Sequence, residues 1–282
     1  MPTHRDVIAD FLVSRFPDQI RLAEPHRAAI YWHGSLWDAA EKAAAFAAER
    51  LAENPPWGLV RQMIIRSQSY TGGALALSAG GDAGSAEALS RACMESSVNV
   101  LYVLAADPMA RLYSYFESFF EAEFKQNEHW RQSLHLASEE ERPDHLAGLE
   151  QKETAYRTLP PAETFAPFVT AAVAKPWPNV FDRFRLIGRE LDYRTYYAAA
   201  CSQAHNDAED LLNVFVVKSL GMADLEPKLA DETSSFSRLL VFTALQYHAQ
   251  AIREYALAFG LQDVAALAAD GVAEIGRLCA EA

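Results

Sequence analysis

The stretch AEALSRACMESSVNVLYVLAA, residues 86–106, constrains the fold more than any other part of the chain. It has the composition of a helix, and wound at about 100° per residue it is apolar around most of its circumference. Leu89, Cys93, Ser96, Val100 and Leu104 fall on one side, while Arg91, Glu95 and Asn99 form a narrow polar stripe with Tyr102 at the same azimuth. Water disfavours so much exposed apolar surface, so such a helix has to be surrounded by others. Its stripe is then partly buried and needs hydrogen-bonding partners.

The rest of the chain supplies neighbours of one kind. Helix signals run almost throughout, and alternating β-branched runs are nearly absent, which predicts an all-α, compact bundle of about eight to ten helices. Thr3 caps a first helix to about Phe16, and Ser35 with Asp38 forms an S-x-x-D signal for a helix to about Glu53, stopped by NPPWG. A third runs from near Trp57 to Ala79 with TGG, residues 71–73, as a weak point; GGDAGS makes a loop and Ser85 caps the 86–106 helix, with Glu87 in its first turn. A long amphipathic helix follows from Met109 toward SEEERPD, and another reaches about Thr158. The segments LPPAETFAPF and KPWPN bracket a short helix, Asn179 caps residues 180–190, and the next helix extends to about Leu220, where Gly221 stops it. Helices over about 233–259 and 262–280 finish the chain. No repeat or linker divides it, so residues 1–282 read as a single domain, with 1–80 as a candidate peripheral lobe and 85–260 as the core.

Lys and Arg total 25 against 38 Asp and Glu, a formal charge of −13, which disfavours general attraction to phosphate or to anionic membrane. Any RNA contact has to be local. The basic residues Arg183, Arg185, Arg189 and Arg194 are interleaved with Asp182, Glu190 and Asp192 and read as mixed surface charge. No apolar run reaches the roughly 18 residues that span a bilayer, and the first residues lack a signal-peptide core, so a cytoplasmic location away from membrane is expected. Cys93, Cys201 and Cys279 have no C-x-x-C spacing and read as small core residues of a reducing compartment. No metal is expected, because the paired E-x-x-H ligands of di-iron bundles are missing. No cofactor is expected either, since TGG and GGDAGS lack the strand and the Lys of a phosphate-binding loop.

A second segment, YRTYYAAACSQAHNDAEDLL at 193–212, carries chemistry. Steps of three and four put Ser202, His205 and Glu209 on one face with Arg194 and Tyr197 or Ala198, while Asn206, Asp207 and Asp210 point to water. His205 can serve as base, acid or ligand, or as a structural histidine, and the spacing leaves both open. His248 sits on a strongly apolar helix and reads as a residue at the core edge; His129, His135 and His145 read as surface.

LSRACMESSVNVLYVLAADPMARLYSYFE resembles the R-x-x-x-E helix, followed by an Asp-Pro break, of a widespread bacterial helical family known as a domain of unknown function. FRLIGRELDYRTYYAAACSQAHNDAEDLL is similar to that family's second signature, a Tyr-rich helix ending in S-x-x-H. The resemblance covers about residues 85–220 and implies that the two helices face each other, with Arg91, Glu95, Ser202 and His205 as the reactive set. Tyr193 and Tyr197 would form walls; Asn99 and Tyr102 are ligand-binding candidates from the residues themselves, because they share the azimuth of Arg91 and Glu95. The family looks distantly like the HEPN helical ribonucleases and toxins, in which an Arg and a His about four to six residues apart cleave RNA without metal. Here Arg194 stands eleven positions before His205, so that compact motif is absent and only Arg91 could bring the phosphate-binding charge. Two expectations result. In one, a pocket around Arg91, Glu95, Ser202 and His205 takes an anionic ligand, RNA among the possibilities, in a stress or defence setting. In the other, the same residues form a register-fixing network in a non-catalytic scaffold that works through a protein partner or a second copy of itself. Either places the Arg91–Glu95 turn within about 10 Å of the Ser202–His205 turn, the spacing of packed helix axes.

Overall fold

A computed structural model describes residues 24–46, 48, 55–158, 176–204, 215 and 226–282, with the backbone alone at 55, 56, 202–204 and 226–230. The helices are α1 (Glu24–Phe46), α2 (Pro55–Ala79), α3 (Ala83–Leu104), α4 (Pro108–Gln132), α5 (Arg142–Arg157), α6 (Val180–Leu186), α7 (Glu190–Asp192), α8 (Ala198–Ala204), α9 (Glu226–Ala258) and α10 (Gln262–Glu281). A short 3₁₀ turn, Ser133–Leu136, follows α4, and a π-helical turn, Tyr193–Tyr197, joins α7 to α8. No strand occurs among the described residues, and the chain is an all-α bundle, as its patterning predicts. The proposed Thr3 helix, the LPPAETFAPF segment, and the extension to Leu220 with its Gly221 stop lie outside the described residues.

The apolar helix is central. α3 packs on α2, α8 and α9, with α4 and α6 also against it, and α9 in turn meets α1, α2 and α10. One buried cluster joins α1, α2, α9 and α10 through Leu36, Ile64, Leu75, Phe242, Leu245, Ile252, Tyr255 and Ile275. A smaller one seats Cys93, Met94 and Val98 of α3 against Phe184, Tyr197, Ala200, Leu240 and Tyr247. Truncating one of the large side chains, Leu36 or Phe242, to Ala would cost about 2–5 kcal/mol by lost transfer energy and the cavity left behind.

Three local expectations are corrected. Ser35 does not cap a helix but lies inside α1, because the apolar face that carries Leu36 and Ala40 continues back through Ala29 to His26. The cap of α3 is Asp82, whose carboxylate accepts from the Ser85 amide at 3.2 Å, after Gly81 turns the chain at φ +82°. TGG is no weak point: α2 runs through it unbroken, and the glycines are where neighbours come closest. A Cβ on Gly72 would lie 3.1 Å from the His33 ring of α1, and one on Gly73 would lie 2.7 Å from Leu89 of α3. Close packing thus offsets the roughly 1 kcal/mol that Gly costs inside a helix. Asn179 caps α6 as expected, accepting from Asp182 N at 2.8 Å, and Asp107 caps α4 by accepting from Met109 N and Ala110 N. No helix among the described residues is long and apolar enough to cross a membrane.

A candidate ligand cleft on the central helix

Glu95 organises the polar stripe of α3. Its Oε2 accepts a hydrogen bond from the Tyr197 hydroxyl at 2.9 Å, and its Oε1 faces Arg183 Nη2 at 3.4 Å. The ion pair of Glu95 is therefore with Arg183 of α6 and not with Arg91, although Arg91 has the favourable i, i+4 spacing. Arg91 instead lays its guanidinium over the Tyr197 ring, 5.7 Å from the centroid. Arg183 is a residue that sequence reasoning missed. The three other arginines of its group are exposed and make short-range pairs with Asp182, Asp192 and Glu190, as a mixed surface should. Arg183 itself is buried: it donates from Nη1 to the Pro178 carbonyl at 2.8 Å and packs over Trp177. Burial lowers its pKa, and the Glu95 carboxylate works against that loss. Burial and the adjacent Glu95 raise the pKa of the Tyr197 phenol, which remains a neutral donor.

The tyrosines divide by role. Tyr193 stacks on Tyr197, ring centroids 5.3 Å apart, and both contact Phe184. Tyr247 of α9 donates to Asp192 at 2.6 Å and so ties the π-helical turn to the core. Tyr102 is buried edge-on against Trp177, and Arg111 lies over its ring while donating to its carbonyl. Ser202 has its backbone in α8, and α8 does pack on α3. His205 lies outside the described residues, as does the distance between it and Arg91.

Beside the stripe a cleft of about 520 Å³ opens between α2, α3 and α4. Ala92, Glu95, Ser96 and Asn99 of α3 line its floor, at i, i+3, i+4 and i+7 on one helical face. Tyr70 of α2 and Tyr115 and Phe116 of α4 are its aromatic walls, and Arg66 and Gln62, both exposed, stand at its mouth. The Ser96 hydroxyl is committed to the Met63 carbonyl at 2.9 Å. Asn99 Oδ1 is buried without a hydrogen-bond partner among the described residues, and so is Arg91 Nε. Both atoms are closed to solvent, so neither is a contact open to a ligand in the cleft.

A second polar cluster lies deeper and has a different character. His248 is fully buried, not at a core edge, because residues of three helices form a hydrogen-bonded relay around it. Ser67 Oγ stands 2.7 Å from Ser97 Oγ and 2.9 Å from His248 Nδ1, and His248 Nε2 reaches Gln68 Oε1 at 2.5 Å. The Gln68 amide nitrogen approaches His33 Nδ1 at 3.4 Å, and His33 Nε2 meets the Gln68 carbonyl at 3.0 Å. With both imidazoles neutral, every donor in this chain faces an acceptor. Burial, with His33 a smaller cause, pushes His248 down to about 3, and burial also lowers His33. Ser67, Ser97 and Cys93 are fully enclosed, so no substrate can approach them. No group of three or more His, Cys, Asp or Glu among the described residues could hold a metal ion.

No curated protein and no solved structure matches the chain. A family model described as "Family of unknown function (DUF5677)" matches residues 59–222, more than half of the 282. That span takes in all the described residues of the cleft, the Glu95–Arg183–Tyr197 cluster and the π-helical turn. By this match the chain belongs to the family of unknown function DUF5677.

Proposed function

We propose that the protein binds a small anionic ligand in the cleft between α2, α3 and α4. The observation that carries this reading is the cleft itself, lined by the aromatic side chains Tyr70, Tyr115 and Phe116 together with the exposed guanidinium of Arg66. Arg66 is exposed and makes no ion pair among the described residues, and a guanidinium suits a planar anion. Glu95 then serves to position: with both oxygens used by Arg183 and Tyr197, it fixes α3 against α6 and the π-helical turn and holds the floor in register. The test is calorimetric titration of the full chain with inorganic phosphate, acetate, benzoate and a single-stranded oligoribonucleotide. At least one anion should bind, and Arg66→Ala should weaken it by about tenfold, the worth of one charged hydrogen bond. Binding by none, or binding indifferent to Arg66, refutes the reading.

The RNA-targeting form of this proposal adds a reaction that would need His205 opposite Arg91. It is tested by induced expression of wild type beside His205→Ala, scoring growth and total RNA integrity; equal RNA integrity in both cultures would end it. One observation favours the alternative of a non-catalytic scaffold, namely that both carboxylate oxygens of Glu95 already have partners within the chain. Under that alternative no ligand binds the cleft.

A further inference from the structure

Resting on the reading of the cleft as an anion site, we infer that Trp177 sets the width of that cleft and so selects which aryl carboxylates fit between its walls. Trp177 is a positioning residue: it stands behind Tyr115, outside the lining, and acts through that wall. Its own placement is local in origin. Trp177 lies between Pro176 and Pro178, whose rings lock φ on either side, and a residue before proline is held to extended backbone. Asn179 then caps α6 at once, so the indole is carried by a short, stiff segment.

The indole meets three helices. Tyr102 of α3 stands edge-on to it at 5.1 Å, Tyr115 of α4 stands edge-on at 4.9 Å, and the Arg183 guanidinium of α6 covers it at 5.1 Å. Arg111, four residues before Tyr115 on the same face of α4, lies over the Tyr102 ring, so α4 meets α3 across this stack. The opposite wall is fixed more closely. Tyr70 belongs to α2, three residues before Gly73, where a Cβ would lie 2.7 Å from Leu89 of α3. The separation of the walls is therefore set on the α4 side, and there the indole is the spacer: a smaller side chain lets Tyr115 fall back and widens the cleft. Floor and wall share the brace, because Arg183, stacked on Trp177, also pairs with Glu95. A carboxylate held by Arg66 at the mouth is indifferent to that width, whereas an aryl ring packed between Tyr70 and Tyr115 depends on it.

The experiment is calorimetric titration of the full chain and of its Trp177→Leu and Trp177→Phe variants with benzoate, 2-naphthoate, acetate and inorganic phosphate. Loss of the indole should favour the wider arene. Relative to wild type, the ratio of 2-naphthoate to benzoate affinity should rise by about fivefold in Trp177→Leu and by about twofold in Trp177→Phe, which keeps a ring edge for Tyr115. Acetate and phosphate use Arg66 and no wall, so each should stay within about twofold of its wild-type affinity. A variant that merely loosens the fold weakens all four probes together, and that result, like an unchanged ratio, overturns the inference. Should Trp177→Leu fail to fold, the Trp177→Phe ratio decides alone. Binding of acetate or phosphate by a wild type that takes neither arene also overturns the inference, while leaving the anion site standing. If no anion binds at all, both readings fall together.

Discussion

Acidification should unfold this protein through His248, and the size of the effect can be worked out. In the unfolded chain an imidazole takes a proton near pH 6.5, but in the bundle His248 resists protonation until about 3. Above pH 6.5 both states hold it neutral and there is no penalty. As pH falls from 6.5 toward 3 the unfolded state gains a proton that the folded state refuses, so stability is lost throughout that window. At pH 5 the difference is about 1.5 pH units, and at about 1.36 kcal/mol per unit this one residue removes about 2 kcal/mol relative to neutral pH. His33 and His26 also have lowered pKa values, chiefly by burial, and add in the same direction. Carboxylates titrate in the same range, so the measurement has to be differential. Urea unfolding followed by circular dichroism at pH 7, 6 and 5 would be compared between wild type and His248→Gln, in which the side chain still offers a donor and an acceptor but cannot titrate. The variant should be less stable at pH 7, and its deficit should shrink by about 2 kcal/mol at pH 5. A deficit that stays constant from pH 7 to pH 5 would refute the reasoning.

Glu95→Ala should cost about 2 kcal/mol, because it strands the buried Arg183 and the Tyr197 hydroxyl, and Glu95→Gln should cost less by keeping an acceptor for Tyr197; chemical denaturation reads both, and equal losses would contradict the role assigned to the charge. Gly73→Ala should lower stability by about 1 kcal/mol although Ala is the better helix former, since the new Cβ meets Leu89 at 2.7 Å; a higher melting temperature would show that Leu89 simply moves aside. Elemental analysis of purified protein should find less than stoichiometric iron, zinc or manganese, and one tightly held ion per chain would reopen metal chemistry.

The helices were legible in the sequence because period and caps are local properties: Asn179, the Asp-Pro break at 107–108 and the apolar circumference of 86–106 each announce their structure. What was not legible depends on contacts between distant segments. Nothing near Gly72 and Gly73 says that His33 and Leu89 will arrive there, so a close approach looked like a breaker. Arg183 sits among exposed arginines in sequence, and its contacts with the Pro178 carbonyl, Trp177 and Glu95, the last 88 positions away, take it out of solvent. The stripe Arg91, Glu95, Asn99 follows from helical geometry alone, but Arg66 and the walls Tyr70 and Tyr115 lie on other helices whose rotation the sequence does not state. His248 looked peripheral because its partners Ser67, Gln68 and Ser97 are small or neutral and leave no charge pattern to notice.

The π-helical turn at Tyr193–Tyr197 bears on the register of α8, which follows it directly. A π turn holds one residue more than an α turn, so it advances the chain by one position without advancing the helix by one step. Side chains on the two sides of it are out of phase, by the rotation of one residue, with any count of three and four carried across. Counts of three and four begun at Arg194 therefore do not carry into α8, although they hold within its backbone from Ala198 to Ala204. The extra residue behaves as an insertion absorbed within a helix: Tyr197, the last residue of the turn, donates to Glu95, and α8, which begins at the next residue, packs on α3. Loss of a single residue there would leave the helix intact and rotate Tyr197 away from the carboxylate it serves.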